Sequence, residues 1–247
     1  MNYVTQLFWH TYFLTLELLR QPMYVVSSIL FPSMFFWFFG IPNAKAPGAI
    51  TLLTYSFACF SILSVVLFQF SVGISQEKET SWYYYVRSLP SFRGIGLGSR
   101  IISGFLFSSF AIAGVICTAL AFSDLKITDI EWFQFLIRIY AGAIPFALIG
   151  ICLGQFIGSQ TILPVANLTY LVLSFAGGLW MPPSILPPAI QDISPYLPTR
   201  MYGELLWSLA LKTNYESKYL NGLIIYSVIF FALTLFLLKR EQEKSFS

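Results

Sequence analysis

The sequence predicts an all-α integral membrane protein that forms a single domain over residues 1–247 and crosses the bilayer six times. Of its 247 residues, 57% are hydrophobic and 10% are charged, whereas soluble domains carry about 25% charged residues. A helix needs roughly 20 apolar residues to cross the hydrocarbon core. Five apolar runs meet that length, and a sixth, 162–179, is slightly short. The five are 23–40, 50–74, 101–122, 132–157 and 220–238.

Residues 1–21 precede the first apolar run and predict a helix that lies in the membrane interface. A narrow polar stripe recurs at helical spacing and leaves a broad apolar face, which we expect to rest in lipid while the stripe faces water. Pro22 then ends this helix. The stripe consists of Asn2, Gln6, His10, Glu17 and Arg20.

Lysines and arginines predict how the chain is oriented. Six spans place both termini on one side, and that side collects more basic residues than the other. The positive-inside rule therefore predicts a multi-pass protein of the cell membrane with both termini in the cytoplasm. Arg138 lies inside the fourth span, and we expect it to reach outward to the interface. The net charge of +3 is small and scattered, which argues against a nucleic-acid partner.

The longest polar stretch before the C-terminal tail lies between the second and third spans. Its residues 76–90 read QEKETSWYYYVRSLP and predict a short amphipathic helix with Glu77 and Glu79 in its first turn, where the helix dipole favours acids. Pro90 stops this helix. Two interpretations remain open: a docking element for a cytoplasmic partner, or a surface helix that anchors the loop at the lipid headgroups.

A proline-rich segment, 180–198, lies on the outer side before the last span and holds six of the 13 prolines. Backbone without regular hydrogen bonds is not tolerated facing lipid, yet the segment is too apolar for a freely solvated loop. It predicts a re-entrant hairpin shielded at the outer mouth of a path, or alternatively a packed structural plug.

Three glycines on the fourth span, Gly150, Gly154 and Gly158, recur every four residues. This spacing allows helix backbones to approach closely, and it is compatible with an internal contact or with a seam between two copies. The sequence contains no nucleotide-binding loop, no metal-ligand cluster and no catalytic motif. It also shows no cluster of charges within the spans, so we expect the chain to lack an energy source of its own.

Four stretches in order resemble the membrane subunits of ABC-2 type export systems, over nearly the whole chain. LELLRQPMYVVSSILFPSMFFWFFG is similar to the opening of that family, and GISQEKETSWYYYVRSLPSFRGIGLGSRI to its cytoplasmic coupling segment. FAGGLWMPPSILPPAIQDISPYLPTRMYGELLW resembles its outer signature, and the last span ends in LKREQEK. The run of tyrosines at 83–85 is more aromatic than the family pattern.

The resemblance implies a permease, identical or paired with a relative, seated on two separate ABC ATPase subunits. ATP and Mg²⁺ would bind those subunits, and this chain would hold no cofactor or metal and would not itself be an enzyme. Residues 77–89 would form the coupling helix that docks on the ATPase. The residues implied in docking are Glu77, Glu79, Trp82, Tyr83 and Arg87.

By the same resemblance, the substrate path would be lined by the second and fifth spans together with the outer hairpin. Its aromatic, uncharged character suggests an amphipathic or lipid-like cargo. The outer residues implied are Gly177, Gly178, Pro182, Pro183, Pro187 and Pro198. The alternatives are an ion-coupled carrier or channel, an intramembrane enzyme, and a membrane assembly subunit that transports nothing. A carrier or an enzyme would be expected to show ionisable groups at membrane depth.

Overall fold

The computed structural model describes residues 3–46, 48–81, 93–126 and 130–244, and every regular element within those ranges is helical. The first helix, α1 (Tyr3–Leu19), confirms the helix predicted for the N-terminal segment. Its apolar face is exposed, with Val4, Phe8 and Phe13 each more than 60% accessible.

The polar stripe of α1 does not simply face water as expected. His10 is half-buried and Thr11 is buried, and the Thr15 hydroxyl donates a hydrogen bond to Ser103 Oγ at 3.3 Å. Glu17 is exposed as predicted. Thr11 and Thr15 flank the stripe and pack toward α6, because a polar side chain can be satisfied by a neighbouring helix as well as by solvent, and the interfacial position of the stripe stays a prediction.

Residues 22–43 form one helical run, here called the interrupted helix, in which two π-helical turns alternate with short α-helical pieces. The pieces are α2 (Pro22–Val25), a π turn (Val26–Leu30), α3 (Phe31–Phe35), a second π turn (Phe36–Gly40) and α4 (Ile41–Asn43). Pro32 and Pro42 each follow a π turn closely. Proline lacks an N–H and clashes with the carbonyl four residues earlier, and the extra residue of a π turn relieves that clash.

The described residues after Asn43 form four more long helices, two shorter ones and a long C-terminal helix. These are α5 (Ala49–Lys78), α6 (Arg93–Phe122), α7 (Trp132–Phe156), α8 (Ser159–Ala176), α9 (Pro188–Ile193), α10 (Pro198–Ala210) and α11 (Ser217–Lys244). Five of them, α5, α6, α7, α8 and α11, are long and apolar enough to cross a membrane. They confirm five of the predicted spans as helices of membrane-spanning length. The first predicted span falls in the interrupted helix and stays a prediction.

Helix α5 lies at the centre of the molecule. In its most apolar window 78% of the residues are buried, compared with 17% in α11. It packs against α6, α7, α8 and α10 and against the interrupted helix. Because α5 is apolar on all sides, only a position surrounded by other helices satisfies all of its faces.

Helix α10 differs from expectation, since Arg200 and Glu204 lie between the last two predicted spans, in a stretch that the sequence predicts to be a loop. Instead, the helix packs against α5, α7 and α11 with most of its residues buried. Its Tyr202 hydroxyl donates to the Ile139 carbonyl at 2.5 Å, and the Trp207 indole donates to Ser56 Oγ at 2.6 Å. Charged residues on the exposed side of this amphipathic helix gave it the appearance of a loop.

Candidate functional site

The base of the predicted coupling loop is tied to three helices by three consecutive side chains. Glu77 forms an ion pair with Arg100 of α6. Lys78 donates to the Gln155 side-chain oxygen at 2.9 Å, at the end of α7. Glu79 accepts a hydrogen bond from the Ser159 backbone N–H at 3.0 Å, at the start of α8, and another from the Ser159 hydroxyl. We call this group of contacts the loop base.

The remaining residues assigned to docking cannot be placed. Trp82, Tyr83 and Arg87 lie outside the described residues. Glu77 and Glu79 are described, and both make contacts within the chain. Glu79 is nevertheless exposed, so one face of its carboxylate stays accessible. Whether these five residues dock a partner stays a prediction.

The loop base also has a defined electrostatic character. The Ser159 hydroxyl and the Ser159 backbone N–H, in that order, lower the pKa of the Glu79 carboxyl by hydrogen bonding to its charged form. On α1, burial lowers the pKa of His10, and the negative charge of Glu77 opposes that effect. The Glu79 carboxylate therefore remains charged at neutral pH, where it can hold Ser159.

The glycine series of α7 decides between the two interpretations left open for it. A Cβ added at Gly154 would lie 2.7 Å from the Ser71 carbonyl oxygen of α5, and one at Gly150 would lie 3.1 Å from Phe70 Cβ. At Gly158 the nearest atom is Glu79 Oε1, at 3.9 Å. The first two glycines therefore form an internal contact that lets α7 approach the backbone of α5.

An aromatic cluster joins the interrupted helix, α5, α8 and the proline-rich segment 180–198, called here the outer segment after its predicted side. The rings of Phe60 and Tyr170 stack with centroids 4.6 Å apart. Trp180 packs against Phe35 at 5.1 Å, Phe60 at 5.7 Å and Phe175 at 5.9 Å. The Trp180 indole nitrogen is buried, and within the described part of the chain it has no hydrogen-bond partner. An apolar ligand entering here would meet aromatic rings and one available donor.

The outer segment folds into short helical pieces rather than a single hairpin arm. Gly177 ends α8, and Thr199 approaches it so closely that a Cβ there would lie 2.3 Å from the threonine hydroxyl. Gly178 has φ of +78°, and the following N–H of Leu179 donates to the Ser174 carbonyl at 3.0 Å. This arrangement closes the helix as a glycine C-cap does.

The prolines of the outer segment mark where each short helix begins. Pro182 and Pro187 adopt extended conformations immediately before the 3₁₀ turn Pro183–Ile185 and before α9. Pro198 is the first residue of α10 and is buried. Proline suits the first turn of a helix because its missing N–H has no partner there. The depth of this segment in the bilayer stays a prediction.

A groove that no sequence pattern indicated lies at the ends of the interrupted helix, α5, α6 and α10. Its volume is about 770 Å³, and its charged lining residues are Lys45, Asp124 and Lys212. These residues are far apart in the sequence, and each lies just beyond a helix end. No local pattern could have identified them, because the groove exists only where four helix ends meet.

Arg138 contacts α10 and the segment that follows it, and whether it lies at the membrane interface stays a prediction. Its guanidinium donates to the Leu205 carbonyl at 2.9 Å and to Ser208 Oγ at 3.1 Å, both on α10. It also donates to the Gln134 side chain at 2.9 Å and lies 5.2 Å from the centre of the Tyr215 ring. Helix α10 thus satisfies a charge that would otherwise need water.

Comparison with known proteins finds one relationship over most of the chain. The chain is 26% identical over 233 residues to a protein of Bacillus subtilis (strain 168) named "Putative transport permease YvfS". The alignment covers 92% of this chain and 94% of that protein. No protein-family model matches the chain, and no solved structure matches it significantly.

Proposed function

We propose that this chain is the membrane-spanning permease subunit of an ABC-2 type exporter whose ATPase subunits are separate polypeptides. Similarity to a protein named as a transport permease, along nearly the full length of both chains, supports transport as the activity. The helices of membrane-spanning length support a multi-pass membrane location. ATP and Mg²⁺ would bind the ATPase subunits, and this chain would provide the passage.

Six spans with both termini in the cytoplasm complete the proposed topology. The interrupted helix would be the first span in chain order and would bring the total to six. Its residues 22–43, at about 1.5 Å per residue, reach about 33 Å, which covers the roughly 30 Å of hydrocarbon. Its exposed surface is apolar, with Leu30, Met34 and Phe38 each at least half accessible. In both π turns the backbone N–H groups still bond to carbonyls of the same helix, as the bilayer requires.

The observation that carries the proposal is the loop base. A loop that only anchored the protein at the headgroups would have no need to contact three different helices at its root. In contrast, a loop pushed by an ATPase must pass its displacement to the helices that line the path. Glu77, Lys78 and Glu79 connect the start of this loop to α6, α7 and α8, which suits that role.

The aromatic cluster and the groove support an amphipathic or lipid-like cargo. Phe60 of α5 and Tyr170 of α8 are in contact, so the second and fifth spans meet where the path was expected. Trp180 closes the outer side of the cluster. The groove carries Lys45 and Lys212 beside a single acidic residue, Asp124, and this net positive charge suits an acidic or polar head while the aromatic rings suit an apolar tail.

A second copy of the chain, or a paralogue, would complete the passage, and Asn167 supports this pairing. Asn167 lies midway along α8 on the exposed face, beside the exposed Leu163 and Leu168. Its amide makes no hydrogen bond within the described ranges. An amide facing lipid is costly, and membrane helices commonly satisfy such groups across a helix–helix contact.

Copurification tests the proposal. The tagged chain, expressed from its native chromosome, is purified in mild detergent, and the bound proteins are assayed for ATP hydrolysis. We expect a soluble ABC ATPase in the eluate, two copies of it for every two permease chains. Glu79→Ala combined with Arg87→Ala should reduce the amount of ATPase retained.

Three other outcomes would contradict the proposal and indicate what replaces it. Uphill transport by the chain reconstituted alone, driven by an ion gradient, would indicate a carrier. Passive flux without any gradient coupling would indicate a channel. Stable association with membrane proteins other than an ATPase, with no ATP hydrolysis, would indicate an assembly subunit.

A further inference from the structure

Arg100 of α6 is a buried arginine, with 9% of its surface accessible. Its Nη1 donates to the Gln69 carbonyl of α5 at 2.9 Å, and its Nη2 pairs with the Glu77 carboxylate. The Gln69 side-chain amide donates back to the Arg100 carbonyl at 3.2 Å. A buried guanidinium needs such partners, because removing it from water is costly.

The guanidinium lies along one stripe of α5. Gln69, Gly73 and Glu77 are spaced four residues apart and therefore share a helix face. A Cβ added at Gly73 would lie 2.1 Å from Arg100 Nη1. The glycine thus leaves the space that the arginine head occupies, and any larger residue there would displace it.

Two buried oxygens lie near the arginine without donors of their own. Gln69 Oε1 and the Tyr24 hydroxyl have no hydrogen-bond partner within the described part of the chain. Gln69 Oε1 would be 3.0 Å from a Cβ placed at Gly104, one turn along α6 from Arg100. Tyr24 lies against α6, with its ring 5.3 Å from that of Phe107, two turns along the helix from Arg100. Unpartnered buried oxygens are unusual, and a guanidinium has five N–H groups to offer.

The three contacts of the loop base differ in how far they are exposed to water. Glu79 is exposed and bonds to the exposed start of α8, where water can replace either partner. In the Arg100–Glu77 pair, the arginine side chain is 11% accessible and the carboxylate is 40% accessible. If the loop base moves, the carboxylate can move into water, but the guanidinium cannot follow unless α6 moves or other acceptors take its place.

We infer that Arg100 is the positioning residue through which movement of the loop base reaches α6. In the described state the guanidinium holds Glu77. When the loop base shifts, the guanidinium either pulls α6 with it or turns to Gln69 Oε1 and the Tyr24 hydroxyl. Both responses change how α6 lies against α5. The inference rests on the proposed function, in which an ATPase moves this loop.

The test measures the position of α6 directly in the complex with the copurified ATPase. Cysteines at the exposed positions Ile101 of α6 and Leu235 of α11 are spin-labelled in a chain with Cys117→Ser, the exposed native cysteine. The distance between the labels is measured without nucleotide and with ATP and vanadate. We expect the distance to shift on trapping in the chain that carries only the labels.

Matched variants isolate the arginine. Gly73→Ala displaces the guanidinium without removing a charge, so it should lose the shift while retaining the ATPase. Gly158→Ala makes the same change in the same region, but an added Cβ there has its nearest neighbour at 3.9 Å, so this variant should keep the shift. Arg100→Lys retains the charge but not both contacts, and it should retain only part of the shift.

The outcomes separate the inference from the proposed function. An ATPase that does not bind the labelled chain overturns the proposed function and, with it, this inference. An ATPase that binds while Gly73→Ala keeps the full shift overturns the inference alone. The same holds if α6 shows no shift on trapping in the labelled chain, or if Gly158→Ala abolishes the shift as completely as Gly73→Ala does.

Discussion

Replacing Gly154 with alanine probes the closest approach between α7 and the central helix. The added methyl group would lie 2.7 Å from the Ser71 carbonyl oxygen and 3.0 Å from Ile74 Cβ. Ordinary contacts begin several tenths of an ångström further out. Both obstacles belong to the body of α5, not to the flexible end of a side chain. The two helices must therefore separate along this part of their contact.

Two opposing effects set the size of the change. Overpacking a tight contact costs about 1–3 kcal/mol, whereas alanine in a helix interior gains about 1 kcal/mol over glycine. We expect Gly154→Ala to lower the free energy of unfolding by about 1–2 kcal/mol. At Gly150 the nearest atom is 3.1 Å away, so strain and gain should nearly cancel. At Gly158 the contact distance is 3.9 Å and the backbone is extended, so stability should stay within about 0.5 kcal/mol.

Equilibrium unfolding by sodium dodecyl sulfate in mixed micelles, followed by circular dichroism, measures these differences. The expected order of destabilisation is Gly154→Ala first, then Gly150→Ala, then Gly158→Ala. A Gly154→Ala protein as stable as the parent would refute the close packing of α7 on α5. So would a change in the number of associated copies without loss of stability, since that result would place the glycines at a seam between chains.

Three further predictions concern other contacts. Trp207→Phe removes the hydrogen bond to Ser56 and should lower the free energy of unfolding by about 1–2 kcal/mol, measured by the same titration. Because hydrogen bonds depress the pKa of the folded-state Glu79 carboxyl, its stabilisation is present above its unfolded pKa and is lost as pH falls through the folded pKa. The stability difference between the parent and Glu79→Gln should therefore shrink in acid. Asn167→Cys, in a chain without the exposed native cysteine, should form a disulfide-linked dimer in membranes under mild oxidation, whereas Ile225→Cys, at a position that is also exposed, should not.

Each of these three predictions would be contradicted by a specific outcome. Unfolding of Trp207→Phe at the parent midpoint would mean that the buried indole hydrogen bond contributes nothing. A difference for Glu79→Gln that is constant between neutral and acidic pH would place the effect outside the carboxylate. Equal cross-linking at Asn167 and Ile225 would indicate random collision, and none at Asn167 would remove this helix face from the contact between copies.

Much of the fold was predictable because the bilayer demands long apolar helices. Five predicted spans became helices of the required length. The interrupted helix shows what an apolar run could not reveal, because the chain accommodates Pro32 and Pro42 with a π turn before each and stays helical. For α10, charged residues at its surface hid a helix that its neighbours bury.

The candidate site was predictable in outline only. Glu77 and Glu79 were singled out by their place at the start of a polar loop, and both lie at the loop base as the structure has it. The partners, Arg100 and Ser159, come from other helices. No spacing rule links residues so far apart in the chain, so their pairing could not be read from the pattern.

The sequence by itself determined the composition of the helices, their length and the predicted side on which their charged ends lie. These depend on the free energy of transferring each segment, taken alone, from water into lipid. The tertiary structure alone decided which helix is central, that Gly150 and Gly154 face α5, and that the buried Arg100 lies over Gly73. Those outcomes depend on how distant helices cross. A crossing is set by the joint fit of side chains from several segments, and no single segment carries that information.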